Sequence, residues 1–394
     1  MRILHLIDSV NLERGGPIEY ARVMCEAHEA QGHSCAFVTL DRPDASWLRG
    51  FPFSVHAAGA AGCIANWRSF SRRVAELAPE FDVAVVHGLW NVATVAGYRG
   101  LSASGLPWVI FTHGMLDPYF ARLNPAKDRL KQLAWTSVQG RMMSHARAVL
   151  FTCEEERRLA RGAFRGHQGY TARIVAFCAS DQSCGEGELA EGRAELARRL
   201  PDLGDQPYFL FLSRIHPKKA CDDLIKAYAM IAPCAGSPEL VFAGPDQTGW
   251  KPELERLAQQ LGVANRVHWA GMIEGPVKSA AYTGAEAFAL PSHQENFGLV
   301  VAEALSVGTP VLISDRVNIW REVVADGAGL AAPDTVGATA RVLERYLSMD
   351  PGERAAMQAA ARPCYERQFS VEAAAADLLV VLSEASRDSS QRAP

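Results

Sequence analysis

The chain contains no run approaching the roughly 20 apolar residues that a membrane-spanning helix requires. Its first residues, MRILHLIDSV, have neither the basic start nor the long apolar core of a signal peptide. Together these absences set the expectation of a cytoplasmic protein that does not span a membrane. Charge of one sign is also missing: the net charge is only -4, so the global balance gives no reason to expect nucleic acid, and an anionic partner must be met by local patches. The nine cysteines include no Cys-x-x-Cys pair and no cluster with histidine at ligand spacing, so they read as reduced thiols. No Asp-x-Asp pair sits at a strand end to hold a divalent cation, and Asp222 and Asp223 read as helix-start acids facing the dipole. The sequence therefore implies neither a metal nor a cofactor.

With 394 residues, 48% hydrophobic and 21% charged, the chain is long enough for two domains with separate cores. Short apolar runs alternate with helical patterns in the rhythm of a parallel sheet. Strands are expected at Ile3 to Ile7, Ser34 to Leu40, Val83 to Val86, Trp108 to Thr112 and Ala148 to Thr152, with a helix over Tyr20 to Gln31. After a turn-rich region around Ser180 to Gly187 and Pro201 to Pro207, a second series begins. It comprises Tyr208 to Leu212, Leu240 to Ala243, Val267 to Trp269, Ala287 to Leu290 and Pro310 to Ile313. Residues 1–182 and 183–362 are the two expected domains. Beyond a break at Pro363, Tyr365 to Ser383 predicts one long amphipathic helix, and residues 363–394 form a C-terminal segment.

The most informative stretch is PSHQENFGLVVAEALSVGTPVLISD, Pro291 to Asp315. A polar loop leads through Glu295, Asn296, Phe297 and Gly298 into an apolar helical run from Leu299, with Glu303 inside it. The unpaired amides of a helix N-terminus favour an anion, whereas two carboxylates in the same place repel one unless they address another part of the ligand. A phosphorylated sugar meets both demands. Its diphosphate suits the amides around Phe297 to Val300, and its hydroxyls suit Glu295 and Glu303.

Other loops add to this picture. FLSRIHPKKACDDLIKAY places Arg214, Lys218 and Lys219 between a strand and a helix, a cationic set suited to the leaving group of a nucleotide sugar. Gly15 and Gly16 follow the first strand, at the sheet edge where doubly wound domains bind ligands, although the full dinucleotide fingerprint with its third glycine is absent. His113, in THGMLDPYF, lies at the same expected edge, with His87 a weaker candidate. Gly244 and Gly271 each close a second-domain strand, and Met272 follows the latter.

These motifs resemble, over nearly the whole chain, the retaining glycosyltransferases of family four. That resemblance implies the α/β GT-B fold: two facing Rossmann-like doubly wound domains with a cleft between them, and a last helix crossing back to the first domain. It implies that Glu295 and His113 contact the donor hexose, Glu303 the ribose and Lys219 the phosphates. The glycine loop corresponds to Gly15 and Gly16. The family pattern of Arg, four residues, Lys and Gly is met by Arg214 and Lys219, but Ala220 stands where glycine is usual, which is expected to disturb the loop mildly.

The implied activity is retaining, metal-independent hexosyl transfer from a GDP- or UDP-hexose to a glycan acceptor in bacterial exopolysaccharide or lipopolysaccharide biosynthesis. A GT-B sugar-nucleotide epimerase and a catalytically silent partner subunit are the alternatives. Residues 122–147 interleave Lys127, Arg129, Lys131 and Arg141 with Leu130, Leu133, Trp135 and Met142, a pattern open to two readings. One is peripheral contact with the inner face of the cytoplasmic membrane, consistent with the lipid-linked acceptors of related enzymes. The other is ordinary core packing with a solvated charged face.

Overall fold

The computed structural model describes residues 1–59, 62–119, 125–233 and 236–390. The chain divides into two compact units, Met1–Phe177 with Val371–Pro394, and Cys178–Ser370.

The first unit carries a seven-stranded parallel sheet of β1 (Arg2–Leu6), β2 (Ser34–Thr39), β3 (Ser54–Ala57), β4 (Val83–His87), β5 (Trp108–Phe111), β6 (Ala148–Phe151) and β7 (Ala172–Ile174). Their order is β3-β2-β1-β4-β5-β6-β7. In the second unit a six-stranded sheet comprises β8 (Tyr208–Leu212), β9 (Glu239–Ala243), β10 (Val267–Gly271), β11 (Ala287–Leu290), β12 (Val311–Ser314) and β13 (Gly329–Ala332). Here the order is β10-β9-β8-β11-β12-β13. All pairings are parallel, for example Tyr208 with Glu239 and Phe288 with Val311. Central strands such as β4, β8 and β11 are buried at every position, as helices on both faces of a parallel sheet require. This is the α/β, doubly wound Rossmann-like architecture expected from the apolar runs. In each sheet the order reverses once, at β1/β4 and at β8/β11, and crevices at the carboxyl ends of strands open at such points.

Two local expectations need correction. The first helix spans Gly16–Ala30, four residues earlier than the apolar pattern suggests. Gly15 at φ +100° turns the chain there, and Pro17 supplies a φ already suited to a first helical turn. At the other end, the helix Pro351–Gln368 runs straight through Pro363. An interior proline costs about 3 kcal/mol. That cost is outweighed because Met357, Ala361, Cys364 and Tyr365 are buried, and full burial of a large apolar side chain contributes about 1.5–3 kcal/mol. The break falls instead after Phe369, whose amide closes the turn on the Tyr365 carbonyl at 2.8 Å. The last helix is therefore Val371–Ser390, which packs against Gly16–Ala30 within the first unit.

Candidate functional site

In the second unit, the reversal at β8/β11 brings the loop after β8 against the loop after β11. The His293 amide donates to the Lys218 carbonyl at 2.9 Å, and Ser292 Oγ donates to the same oxygen at 3.0 Å. Between these loops Lys219 Nζ donates to Glu295 Oε1. Their side chains are only 9% and 14% exposed, so the contact is a largely buried ion pair rather than a surface one. Burial, with Lys218 and Arg214 adding like charge, pulls the Lys219 ammonium down to about 8; the carboxylate in contact with it acts in the opposite direction. Two residues expected to serve different parts of a ligand thus neutralise each other.

Backbone pairing holds Glu295 in place. Its amide donates to the Arg316 carbonyl at 2.8 Å, and its carbonyl accepts from the Asn318 amide at 3.0 Å. Gly298, at φ +81°, then starts the helix Leu299–Ser306. A Cβ there would meet Val317 Cγ1 at 3.0 Å. Phe297 is buried edge-on against Phe369, whereas Leu299 is exposed. The Asn296 Oδ1 atom is buried without a hydrogen-bond partner; such an atom is costly unless something else satisfies it.

Ala220 takes φ +55° and ψ +40°, the left-handed conformation that glycine adopts freely. The loop therefore keeps its glycine-type path instead of being disturbed, and the Cβ costs roughly 1–2 kcal/mol.

Glu303 stands apart from this pair. Lys278 Nζ donates to its Oε1 at 2.7 Å and Tyr282 Oη to its Oε2 at 2.9 Å, partners that sequence spacing did not reveal. Arg214 is exposed and reaches Gln247 Oε1 at 3.4 Å. Gly244, at φ +126°, has no room for a side chain: a Cβ would lie 2.0 Å from the Ser213 carbonyl oxygen. Its amide donates to the Gly271 carbonyl at 2.8 Å, which places the ends of β8, β9 and β10 side by side. The Met272 side chain is largely exposed, and its carbonyl accepts from Arg199 at 2.7 Å.

In the first unit, a cavity of about 280 Å³ opens at the β1/β4 reversal, lined by Asp8, Arg14, Pro17, His87, Gly88 and Asn91 among others. Gly15 and Gly16 have no atom near a notional Cβ, so they crowd nothing there. His113, at φ +49°, lies over Phe111 with ring centroids 4.5 Å apart. Its Nε2 is 3.0 Å from His87 Nδ1, and His87 Nε2 is 2.9 Å from His5 Nδ1. Burial pushes His113 down to about 3 and His87 in the same direction, so both rings are neutral near pH 7. His113 Nδ1 has no partner. Glu156, almost fully buried, accepts from Thr112 Oγ1 and the Gly114 amide with one oxygen and from the Thr152 amide and Oγ1 with the other. It holds the turn that carries His113, and nothing in the sequence singled it out.

A second cavity of this unit, about 740 Å³, is lined by Trp67, Trp90, Val92, Lys127, Leu130 and Lys131 among others. Lys131 Nζ lies 5.2 Å from the centroid of the Trp90 ring, and Leu130 and Leu133 are each 67% exposed. Trp135, Met142 and Met143 are buried. Part of the 122–147 segment is thus core and part is an open basic and apolar surface, while residues 122–124 lie outside the described residues. No described helix is long and apolar enough to cross a membrane.

Comparison with known proteins agrees with this architecture. The Glycosyl transferase 4-like domain model matches residues 15–176, and the Glycosyl transferases group 1 model matches residues 193–363. The chain belongs to the GT-B glycosyltransferases of the family-four type. Similar solved structures include Anabaena HepE in complex with UDP, at TM-score 0.76 and 18% identity, covering 98% of this chain and 100% of that one. WaaG, a glycosyltransferase involved in lipopolysaccharide biosynthesis, matches at TM-score 0.61 and 17% identity, over 98% and 99% of the two chains. Among curated relatives, the D-inositol 3-phosphate glycosyltransferase of Thermomonospora curvata is 40% identical over 147 residues, 35% of this chain and 34% of that one. The Streptomyces bingchenggensis protein of the same name is 34% identical over 252 residues, 61% and 53% of the two chains. The chain spans a third to about half of the length of such relatives, 34% and 53% in these two.

The pairing of Lys219 with Glu295 has a measurable consequence for stability. Lys219→Met leaves a largely buried carboxylate unpaired and is expected to lower the stability of the second unit by about 3 kcal/mol. Adding Glu295→Leu should restore part of that loss. Denaturant unfolding of the single and double variants measures it; additive losses would show that the two side chains do not interact.

Proposed function

We propose that this protein is a retaining, metal-independent hexosyltransferase that moves a sugar from a nucleotide-diphosphate donor to a glycan acceptor. The observation carrying this reading is the Lys219–Glu295 pair at the β8/β11 reversal, beside the N-terminus of the helix Leu299–Ser306. The donor diphosphate competes with Glu295 for the Lys219 ammonium, joined by Arg214 and the free amides of the helix terminus. The carboxylate of Glu295, released from Lys219, then accepts hydrogen bonds from the hexose hydroxyls. Glu303, already oriented by Lys278 and Tyr282, retains lone pairs for the ribose. As the bond from the anomeric carbon to the diphosphate oxygen breaks, Lys219, Arg214 and the helix dipole stabilise the departing charge. The acceptor hydroxyl attacks the oxocarbenium-like carbon on the face that the diphosphate leaves, and its proton passes to the departing diphosphate oxygen. The family resemblance assigns hexose contact to His113 as well, and a neutral ring with one unpartnered nitrogen suits a neutral hydroxyl.

For the acceptor, the exposed Leu130 and Leu133 beside Lys127 and Lys131 support a lipid-linked glycan presented at an anionic membrane face. WaaG, which shares the fold, is a glycosyltransferase involved in lipopolysaccharide biosynthesis, and such a setting is consistent with this acceptor. A second acceptor class, a phosphorylated polyol, is favoured by the names of the curated relatives and by Arg14 and Asn91 in the 280 Å³ cavity. Supplying each acceptor class with a labelled sugar nucleotide distinguishes the two.

Because the diphosphate requires a charged Lys219, kcat/KM for the donor is expected to be level below about pH 8 and to fall tenfold per pH unit above it, as the ammonium loses its proton. Lys219→Arg should move that fall above pH 10. Lys219→Ala should lower kcat by about 10²–10³-fold. A flat profile to pH 10 and near-native turnover in Lys219→Ala and Glu295→Ala would refute the site. Membrane contact has its own readout: co-sedimentation with anionic vesicles should be lost in Leu130→Glu/Leu133→Glu, and equal retention of both proteins would remove that part of the proposal.

A further inference from the structure

The carboxyl-edge histidines lead inward to a second chemical cluster that the transfer reaction does not use. His5 on β1, Cys25 on the helix Gly16–Ala30 and Cys35 on β2 are all buried, and their ligating atoms lie within 4.8 Å of one another. Spacing along the chain showed no cysteine cluster with histidine because these residues come from three elements that only the sheet order brings together. Cys25 Sγ is 3.3 Å from His5 Nε2. Ligating atoms of a tetrahedral zinc site, at about 2.3 Å for sulfur and 2.0 Å for nitrogen, sit roughly 3.5–3.8 Å apart, so Cys25 and His5 already stand near that separation and Cys35, within 4.8 Å of both, closes on them by up to about 1 Å to share an ion.

A fourth group lies on the same helix as Cys25, outside that 4.8 Å set. His28 is one turn from Cys25 on the same helix face and completely buried. Its Nε2 is 3.1 Å from the Ala375 carbonyl, to which it donates, while its Nδ1 has no partner. A histidine whose outer nitrogen is fixed by a backbone carbonyl and whose other nitrogen is bare is oriented as metal-binding imidazoles are. His5 repeats the arrangement: its Nδ1 faces His87 Nε2 and leaves Nε2 toward the sulfur.

We propose that His5, Cys25, Cys35 and His28 form a buried site for a soft divalent metal ion of the zinc type. Two thiolates and two imidazoles are the ligand set that such an ion prefers, and a buried, closed set is structural rather than open to substrate. Binding displaces the thiol protons to solvent and ties the first helix to β1 and β2. It also orders the histidine row. With the ion on His5 Nε2, the His5 Nδ1–H donates to His87 Nε2 and the His87 Nδ1–H donates to His113 Nε2. The His113 Nδ1–H is then left as a donor. The site goes beyond the transfer reading and does not depend on it.

The test uses the full chain, purified under reductant and stripped with chelator, then titrated with zinc and with cobalt(II). One equivalent should bind, and the cobalt form should show thiolate-to-metal charge-transfer and tetrahedral d–d absorption. Cys35→Ser and His28→Ala should each weaken zinc at least tenfold with an unchanged far-ultraviolet dichroism spectrum, while Cys184→Ser, away from the cluster, should bind as the native chain does. Nitrogen-15 spectra should place the proton of His5 on Nδ1 only when metal is bound. Failure of the reduced native chain to take up either ion, or a cobalt spectrum unchanged in Cys35→Ser, would overturn the proposal; because the first result comes from the native chain, it does not depend on any variant folding.

Discussion

A parallel sheet whose strand order reverses must bring two loops together at its carboxyl edge, and in the second unit those loops carry a lysine and a glutamate of opposite purpose. Lys219 closes a short turn before one helix, Glu295 precedes another, and β8 and β11 lie side by side. The two side chains meet where little water reaches them. Much of the proposed chemistry follows from that contact. A buried lysine is uncomfortable as an ammonium, a buried glutamate as a carboxylate, and each remains charged by holding the other. In the proposed reading, a ligand carrying two negative charges and a ring of hydroxyls replaces both halves of the pair.

The first unit uses the same topological rule with different chemistry. Its reversal between β1 and β4 opens a cavity beside Arg14 and Asn91, and the histidines nearby are neutral and stacked rather than charged. The second unit carries a largely buried ion pair at its reversal, whereas the histidines at the first are neutral. Glu156 supports that row: four hydrogen bonds to one buried carboxylate fix the turn on which His113 sits.

Much of the architecture was legible in the sequence because parallel strands buried on both faces are continuous apolar runs: Tyr208–Leu212 and Ala287–Leu290 read out to the residue. Edge strands left weaker marks. Ser54–Ala57 and Ala172–Ile174 are only partly buried and have no unbroken apolar run. Pro363 misled because its local cost is certain while the packing that offsets it is not visible in order of residues. At the candidate site, residue types were legible and partnerships were not. Lys219 and Glu295 are 76 positions apart and Glu303 and Lys278 are 25 apart, so no spacing rule connects them. Ala220 shows the converse case, in which a departure from the family pattern left the backbone path unchanged.

The most direct test of nucleotide-sugar recognition is thermal unfolding of the purified chain against UDP- and GDP-sugars, the free nucleotides and NAD as a control, without added metal. One sugar nucleotide should raise the midpoint selectively, since a ligand bound only by the folded state stabilises it by about 2.7 kcal/mol at a hundredfold excess over Kd. That result would also identify the base. An unmoved midpoint with every sugar nucleotide at millimolar concentration would contradict the donor site and leave a silent partner subunit as the better reading.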